Sequence, residues 1–247
     1  MLSVSLAAAV LAASPLLQPS SQWVVDFAEQ QCVASRTYRD KAGEMTLAFR
    51  RSPYDDVTHL FVVRPGKASR WAEQVPATLA IGDAKPARTL LLRYGSGKGD
   101  KAQRVNRATI AAEERAQLAS AQSVTVTAET GLDVSLALTK MGDVSKLLDD
   151  CTHDLRKFWN MGEAQVAVAV PAKPVADVRT LFTYTDYPLE ALNKRQEGSA
   201  QLMLLISETG AIESCQVVFT EGAPVFESMG CQVLLERAKF EPALDLR

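Results

Sequence analysis

The chain is poor in the residues from which most enzyme chemistry is built. Only two histidines occur among 247 residues, His59 and His153. No CxxC pair is present, and only His153 stands near a cysteine, Cys151, so the spacing of a zinc site is missing. Charge of one sign is missing too. A formal net charge of −2 and a pI near 5.8 provide no basic field for nucleic acid, which excludes it as a partner. Beyond the N-terminus no apolar run approaches the ~20 residues that span a bilayer, Ala164 to Val170 being only a brief patch. No internal repeat occurs. These gaps leave no cofactor or metal to expect.

Two segments imitate catalytic motifs and fail on inspection. Gly95-Ser96-Gly97-Lys98-Gly99-Asp100 looks like a phosphate loop, but Leu92 stands where its first glycine belongs. Gly99 stands where Ser or Thr would coordinate Mg²⁺, so the stretch reads as a hairpin tip. His153 lies among Asp149, Asp150 and Asp154 on an expected helix. A hydrolase would need a Ser or Cys nucleophile brought beside it; a solvated acidic helix face is the simpler reading. His59 falls in an alternating strand as a surface or half-buried residue. The expectation is that the protein is not an enzyme, with an enzyme seated in the first domain as the remote alternative.

What is present begins with an export signal, expected over residues 1–20. Leu2 to Leu17 is apolar or small throughout, with Ala12-Ala13-Ser14 as a cleavage region, although no Lys or Arg precedes it. The run is short for a membrane span and Pro15 interrupts it, yet a retained inner-membrane anchor stays open beside a cleaved leader. Either destination faces the periplasm.

Residues 21–161 read as a β-rich α+β domain of unassigned role. Trp23 to Phe27, Cys32 to Tyr38, Met45 to Arg50, Val57 to Arg64, Ala77 to Ile81 and Thr89 to Leu92 carry strand patterns, with Ser52-Pro53-Tyr54-Asp55-Asp56 as turn chemistry. Ile110 to Ala121 favours a helix, and Val124 to Ala128 and Leu132 to Leu138 return to strand. Asp143 is the expected N-cap of a closing helix whose Val144, Leu147, Leu148, Cys151, Leu155 and Phe158 share one face. The expected fold is a sandwich-like or partly open sheet with that helix laid on it. Residues 162–178, rich in Ala and Val and holding Pro171 and Pro174, read as a semi-extended linker.

Residues 179–247 form a second, smaller α+β unit, a two-stranded hairpin with helices. Tyr187-Pro188 opens a helical segment, Leu189 to Gln196. A strand from Ala200 to Ser207 places Ala200, Leu202, Leu204 and Ile206 on one face. Glu208-Thr209-Gly210 turns it, glycine supplying positive φ, and Ile212 to Phe219 returns. A helix follows with Phe226, Met229, Val233 and Leu234 in one stripe. The four cysteines allow three pairings. One pair per domain in an exported protein predicts Cys32–Cys151 and Cys215–Cys231 as disulfides, and a mid-strand Cys215 suits a Cys231 on the covering helix.

Tyr187-Pro188, Glu197-Gly198 before the strand, Thr209-Gly210 in the hairpin and Arg237-Ala238-Lys239-Phe240-Glu241-Pro242-Ala243, at this spacing, resemble the TonB C-terminal domain family. The resemblance covers about the last quarter of the chain. Such domains continue past the Phe-x-Pro segment into a final strand, which is not expected here because the sequence stops at Arg247. The resemblance implies a periplasmic binding or coupling module, an energy-transducer relative, that captures an extended peptide of an outer-membrane transporter or other envelope protein at its sheet edge. In the family the segment before Tyr-Pro helps meet that peptide, which implicates Tyr184, Asp186 and Tyr187; Asp186 stands where receptor-coupling members commonly carry Gln. The strand edge itself adds Met203 and also offers a route to a homodimer. A motorless scaffolding protein of the envelope is the alternative.

Overall fold

The structure is a computed structural model, and it describes residues 15–28, 30–66, 72–97, 99–159, 161, 168–222 and 225–245. Residues 1–14 of the expected leader, 162–167 of the expected linker and Lys98 of the hairpin tip lie outside them.

The N-terminal part is one curled sheet of ten strands with a helix across it. Its strands are β1 (Leu16–Leu17), β2 (Val24–Phe27), β3 (Cys32–Asp40), β4 (Gly43–Arg51), β5 (Thr58–Pro65), β6 (Glu73–Ile81), β7 (Ala87–Ser96), β8 (Gln103–Ile110), β9 (Ser123–Ala128) and β10 (Leu132–Ala137). They lie in the order β1-β10-β9-β6-β7-β8-β5-β4-β3-β2. Alternation works as physics demands: Cys32, Ala34 and Tyr38 of β3, Met45, Leu47 and Phe49 of β4, and Val124 and Val126 of β9 are buried on the concave face. Helix α1 (Arg115–Ser120) and helix α2 (Met141–Phe158) follow β8 and β10, and α2 lays Val144, Leu148 and Cys151 onto that core. The Cys32–Cys151 disulfide, with Cα atoms 6.2 Å apart, fastens α2 to β3.

Arg51 ends β4 almost fully buried and is held at α2 by the Asp149 carboxylate, the Ser145 carbonyl at 3.3 Å and the Ser145 hydroxyl at 3.2 Å, while its Nε donates to Thr58 at 3.0 Å. Burial pushes its guanidinium pKa down and Asp149 opposes the shift.

Two expectations for this part need correction, and a third observation concerns the expected leader. Ile110 ends a strand, β8, and the helix after it is confined to Arg115–Ser120. Gln103 to Arg107 hid that strand because the positions in register with the buried Ala108 and Ile110 are Asn106 and an exposed Arg104. Asp143 lies in the first turn of α2, whose N-cap is Lys140 in the left-handed region at φ 59°; Asp143 still suits the positive end of the helix dipole. Finally, Leu16–Leu17 of the expected leader pairs in parallel with Ser135 and Leu136 of β10, and Pro19 bridges Tyr38. Apolar residues that resemble a leader core are thus strand residues of the sheet.

The C-terminal part contains helix α3 (Leu189–Asn193), the hairpin β13 (Gly198–Ile206) and β14 (Ile212–Gly222), and helix α4 (Val225–Arg237). Before them come β11 (Val168–Val170) and β12 (Lys173–Pro174), and after them β15 (Phe240–Glu241) and β16 (Leu244–Asp245). The stretch read as a tether is tied down: β11 pairs antiparallel with β16 and β12 with β15, and the Val175 amide donates to the Lys239 carbonyl at 2.9 Å. The tail therefore does carry strand structure, contrary to expectation, because its neighbour comes from the linker and not from the hairpin.

Candidate protein-interaction site

The hairpin β13–β14 is a sheet of two strands, joined from Gly198↔Gly222 to Ile206↔Ile212 with irregularities at Gln201/Leu202 and Leu205/Ile206. Among the described residues, no further strand pairs with the outer side of either one. One face is covered by α4. Phe226, Val233 and Leu234 of the expected stripe are buried there, with Met229 half-buried. Leu202 comes so close to α4 that a Cβ on Gly230 would sit 2.8 Å from its Cδ1. Glycine costs about 1 kcal/mol inside a helix, so a glycine at mid-helix is the local sign of this close approach, one that sequence reading passed over. The Cys215–Cys231 disulfide, Cα atoms 5.7 Å apart, locks the same contact.

Alternation puts Gln201, Met203 and Leu205 on the face away from α4. Met203 is half-buried opposite Gln216, and Leu205 is 57% exposed. β13 holds no Lys, Arg or Pro, the residues by which sheet edges are usually guarded.

The segment before α3 is built around α4. The Tyr187 ring meets the Phe226 ring edge-on, centroids 5.4 Å apart, and its hydroxyl donates to the Gln196 carbonyl at 2.5 Å. Ala191 and Phe226 form the small core beneath. Asp186 accepts from the Thr183 amide and hydroxyl, both at 2.7 Å, and from the Arg237 guanidinium. These donors, Arg237 foremost, hold its carboxyl well below the ordinary carboxylate range. Arg237 also donates to the Leu181 carbonyl at 2.8 Å, so one side chain at the end of α4 clasps the whole turn. Its role was not visible in the sequence, where it stood only as a landmark. Tyr184 projects into solvent, 79% exposed.

Tyr184, Asp186 and Tyr187 thus share one segment on the α4 side, whereas Met203 faces away from α4. Among the described residues, no hydrogen bond, ion pair or ring contact links Met203 to the other three. Elsewhere, His153 is exposed on α2, and Cys151 beside it is committed to a disulfide and unavailable as a nucleophile. Among the described residues no helix is long and apolar enough to cross a membrane.

No curated protein and no solved structure matches the chain. Its C-terminal stretch, residues 183–246, matches the family described as Gram-negative bacterial TonB protein C-terminal, and the hairpin, α4 and the Tyr187 segment are the parts of the chain that the match covers.

Proposed function

We propose that residues 168–245 form a periplasmic docking module that captures an extended segment of an envelope protein, an outer-membrane transporter being the first candidate, by adding it as a strand beside β13. The observation that carries this reading is the outer edge of β13, nine residues long and without a neighbouring strand or a guarding charge. Such an edge presents a row of main-chain donors and acceptors, which give affinity, while the side chains alternating along the strand give specificity. The match to a protein-interaction family supports the same reading. Leu205 supplies an exposed apolar side chain on the strand itself. Two disulfides agree with an oxidising compartment. In this reading the N-terminal sheet is a separate periplasmic domain. In the same reading, cleavage in the Ala12-Ala13-Ser14 region would leave β1 in the mature protein.

A second copy of the chain would find the same edge equally open, which makes a homodimer the second outcome to measure. The test is Met203→Lys, which sets a charge on the edge strand away from the α4 interface. The variant is expected to keep the wild-type circular dichroism and melting temperature and to lose binding to transporter peptides, or self-association in sedimentation. A folded Met203→Lys variant that binds and associates like wild type overturns strand addition at β13.

A further inference from the structure

The inner face of the curled sheet changes character at one end. Inward positions on β5 run Leu60, Val62 and then Arg64; on β8 they run Ala108, Asn106 and then Arg104; on β7 Leu91 is followed by Arg93. Register places Arg64 directly opposite Arg104, and Arg93 opposite Asn106, on adjacent strands. Like charges facing each other across a ladder repel, and three guanidiniums here share one mouth. Asp40 meets Arg64, at 3.0 Å through Nη1, and Glu73 lies 3.6 Å from Arg93. Arg104 forms no ion pair among the described residues. A cavity of about 300 Å³ opens between these side chains and the β9–β10 turn, with Leu132 and Val134 also on its wall.

We propose that this cavity binds the carboxylate of a small organic acid, with Arg104 as its principal counter-ion. The end of β5 leaves space for the exposed guanidinium of Arg104 to lie beside it. Gly66, at φ +143°, leaves the room: a Cβ there would come 3.1 Å from Arg104 Nε. Asn106 is buried, its amide anchored on the Val62 carbonyl at 3.4 Å, and forms a polar wall beside it. The planar fork of arginine matches a carboxylate with two parallel hydrogen bonds. Asp40 and Asp133 also line the cavity and repel a second negative charge, which selects a monocarboxylate over phosphate. Leu132 and Val134 favour an organic body, and the volume stands at the lower limit of ligand pockets, so the acid is small.

Titration of the full chain with butyrate, benzoate and inorganic phosphate at fixed ionic strength, read by calorimetry and by melting temperature, tests this. A monocarboxylate is expected to bind saturably and raise the melting temperature. Arg104→Met is expected to weaken binding about tenfold or more, and Arg104→Lys less, since it keeps the charge and loses the fork. Arg88→Met, on the exposed outer face of β7, leaves binding unchanged. If neither acid binds saturably, if Arg104→Met binds as wild type, or if phosphate binds more tightly than both acids, the assignment is overturned. Should Arg104→Met fail to fold, Arg104→Lys with wild-type affinity and unaltered preference overturns it in the same way.

Discussion

Arg237 and Asp186, fifty-one positions apart, face each other as a two-pronged pair: Nη1 reaches Oδ2 at 2.7 Å and Nη2 reaches Oδ1 at 2.6 Å. The pair joins the end of α4 to the turn that leads into Tyr187-Pro188, and it has a pH signature. The carboxyl of Asp186 titrates lower in the fold than its ordinary 3.8. Its contribution is therefore complete above that ordinary value and is lost as pH falls below it toward the lowered one. Urea midpoints measured between neutral and strongly acidic pH should fall more steeply for wild type than for Asp186→Asn. Equal slopes would remove Asp186 from the acid response.

Arg51 and Asp149 differ in what they leave behind. Arg51→Ala strips a buried guanidinium from Thr58 and from both Ser145 groups, and should cost about 3 kcal/mol or more. Asp149 is 57% exposed, so water screens its share and Asp149→Ala should cost about 1 kcal/mol. Denaturant unfolding of the two variants decides between them. Equal losses would mean that the charge, not the buried bonding, is what matters at β4 and α2.

Gly43 and Gly210 both hold positive φ, at +112° and +81°, in surroundings of opposite kind. Nothing lies within 4 Å of a Cβ built on Gly43, whereas one on Gly210 would sit 1.9 Å from the Phe240 carbonyl oxygen. Gly43→Ala should thus cost only backbone strain, about 1–2 kcal/mol. Gly210→Ala adds a main-chain clash and should displace the tail from the hairpin tip. Loss of amide protection at Phe240, whose N–H donates to the Gly210 carbonyl at 3.2 Å, is the readout. Retained protection in Gly210→Ala would count against a close tip–tail contact.

The proposed limits of the C-terminal module can be weighed directly. A fragment of residues 168–247 keeps the pairing of β11 and β12 with the tail, while one of residues 179–247 cannot form it. The longer fragment should be the more stable by about 1–2 kcal/mol, since each net hydrogen bond contributes about 1 kcal/mol. Identical melting curves would place the module's beginning after Asp177.

The hairpin and α4 were legible because their signals are periodic: alternation in Ala200 to Ile206, a glycine at the turn, and an apolar stripe from Phe226 to Leu234. Both disulfides were legible because four cysteines fall two to each part. Other elements had no period to read. β11, β12, β15 and β16 run two or three residues each, too short for alternation, and exist only through partners about 70 positions away. β8 places arginine and asparagine where a core strand would carry aliphatics, and β1 is composed like a leader. At the candidate site, Tyr187 and Asp186 stood out through their motif. Arg237 and Gly230 did not, since a clasp and a close approach are properties of folded geometry.

The ladders that join the linker to the tail also govern how far the module can extend. Residue 168 is matched with 245, and residue 174 with 240 beside the hairpin tip, with two pairs in each ladder among the described residues. A pull delivered from the N-terminal sheet peels the 168–245 end first and reaches the Gly210–Phe240 contact last. Peeling 168–174 frees a strand worth about 20–25 Å of span at 3.3–3.6 Å per residue. With four residue pairs and the Val175–Lys239 hydrogen bond holding it among the described residues, this stretch would lengthen only under load.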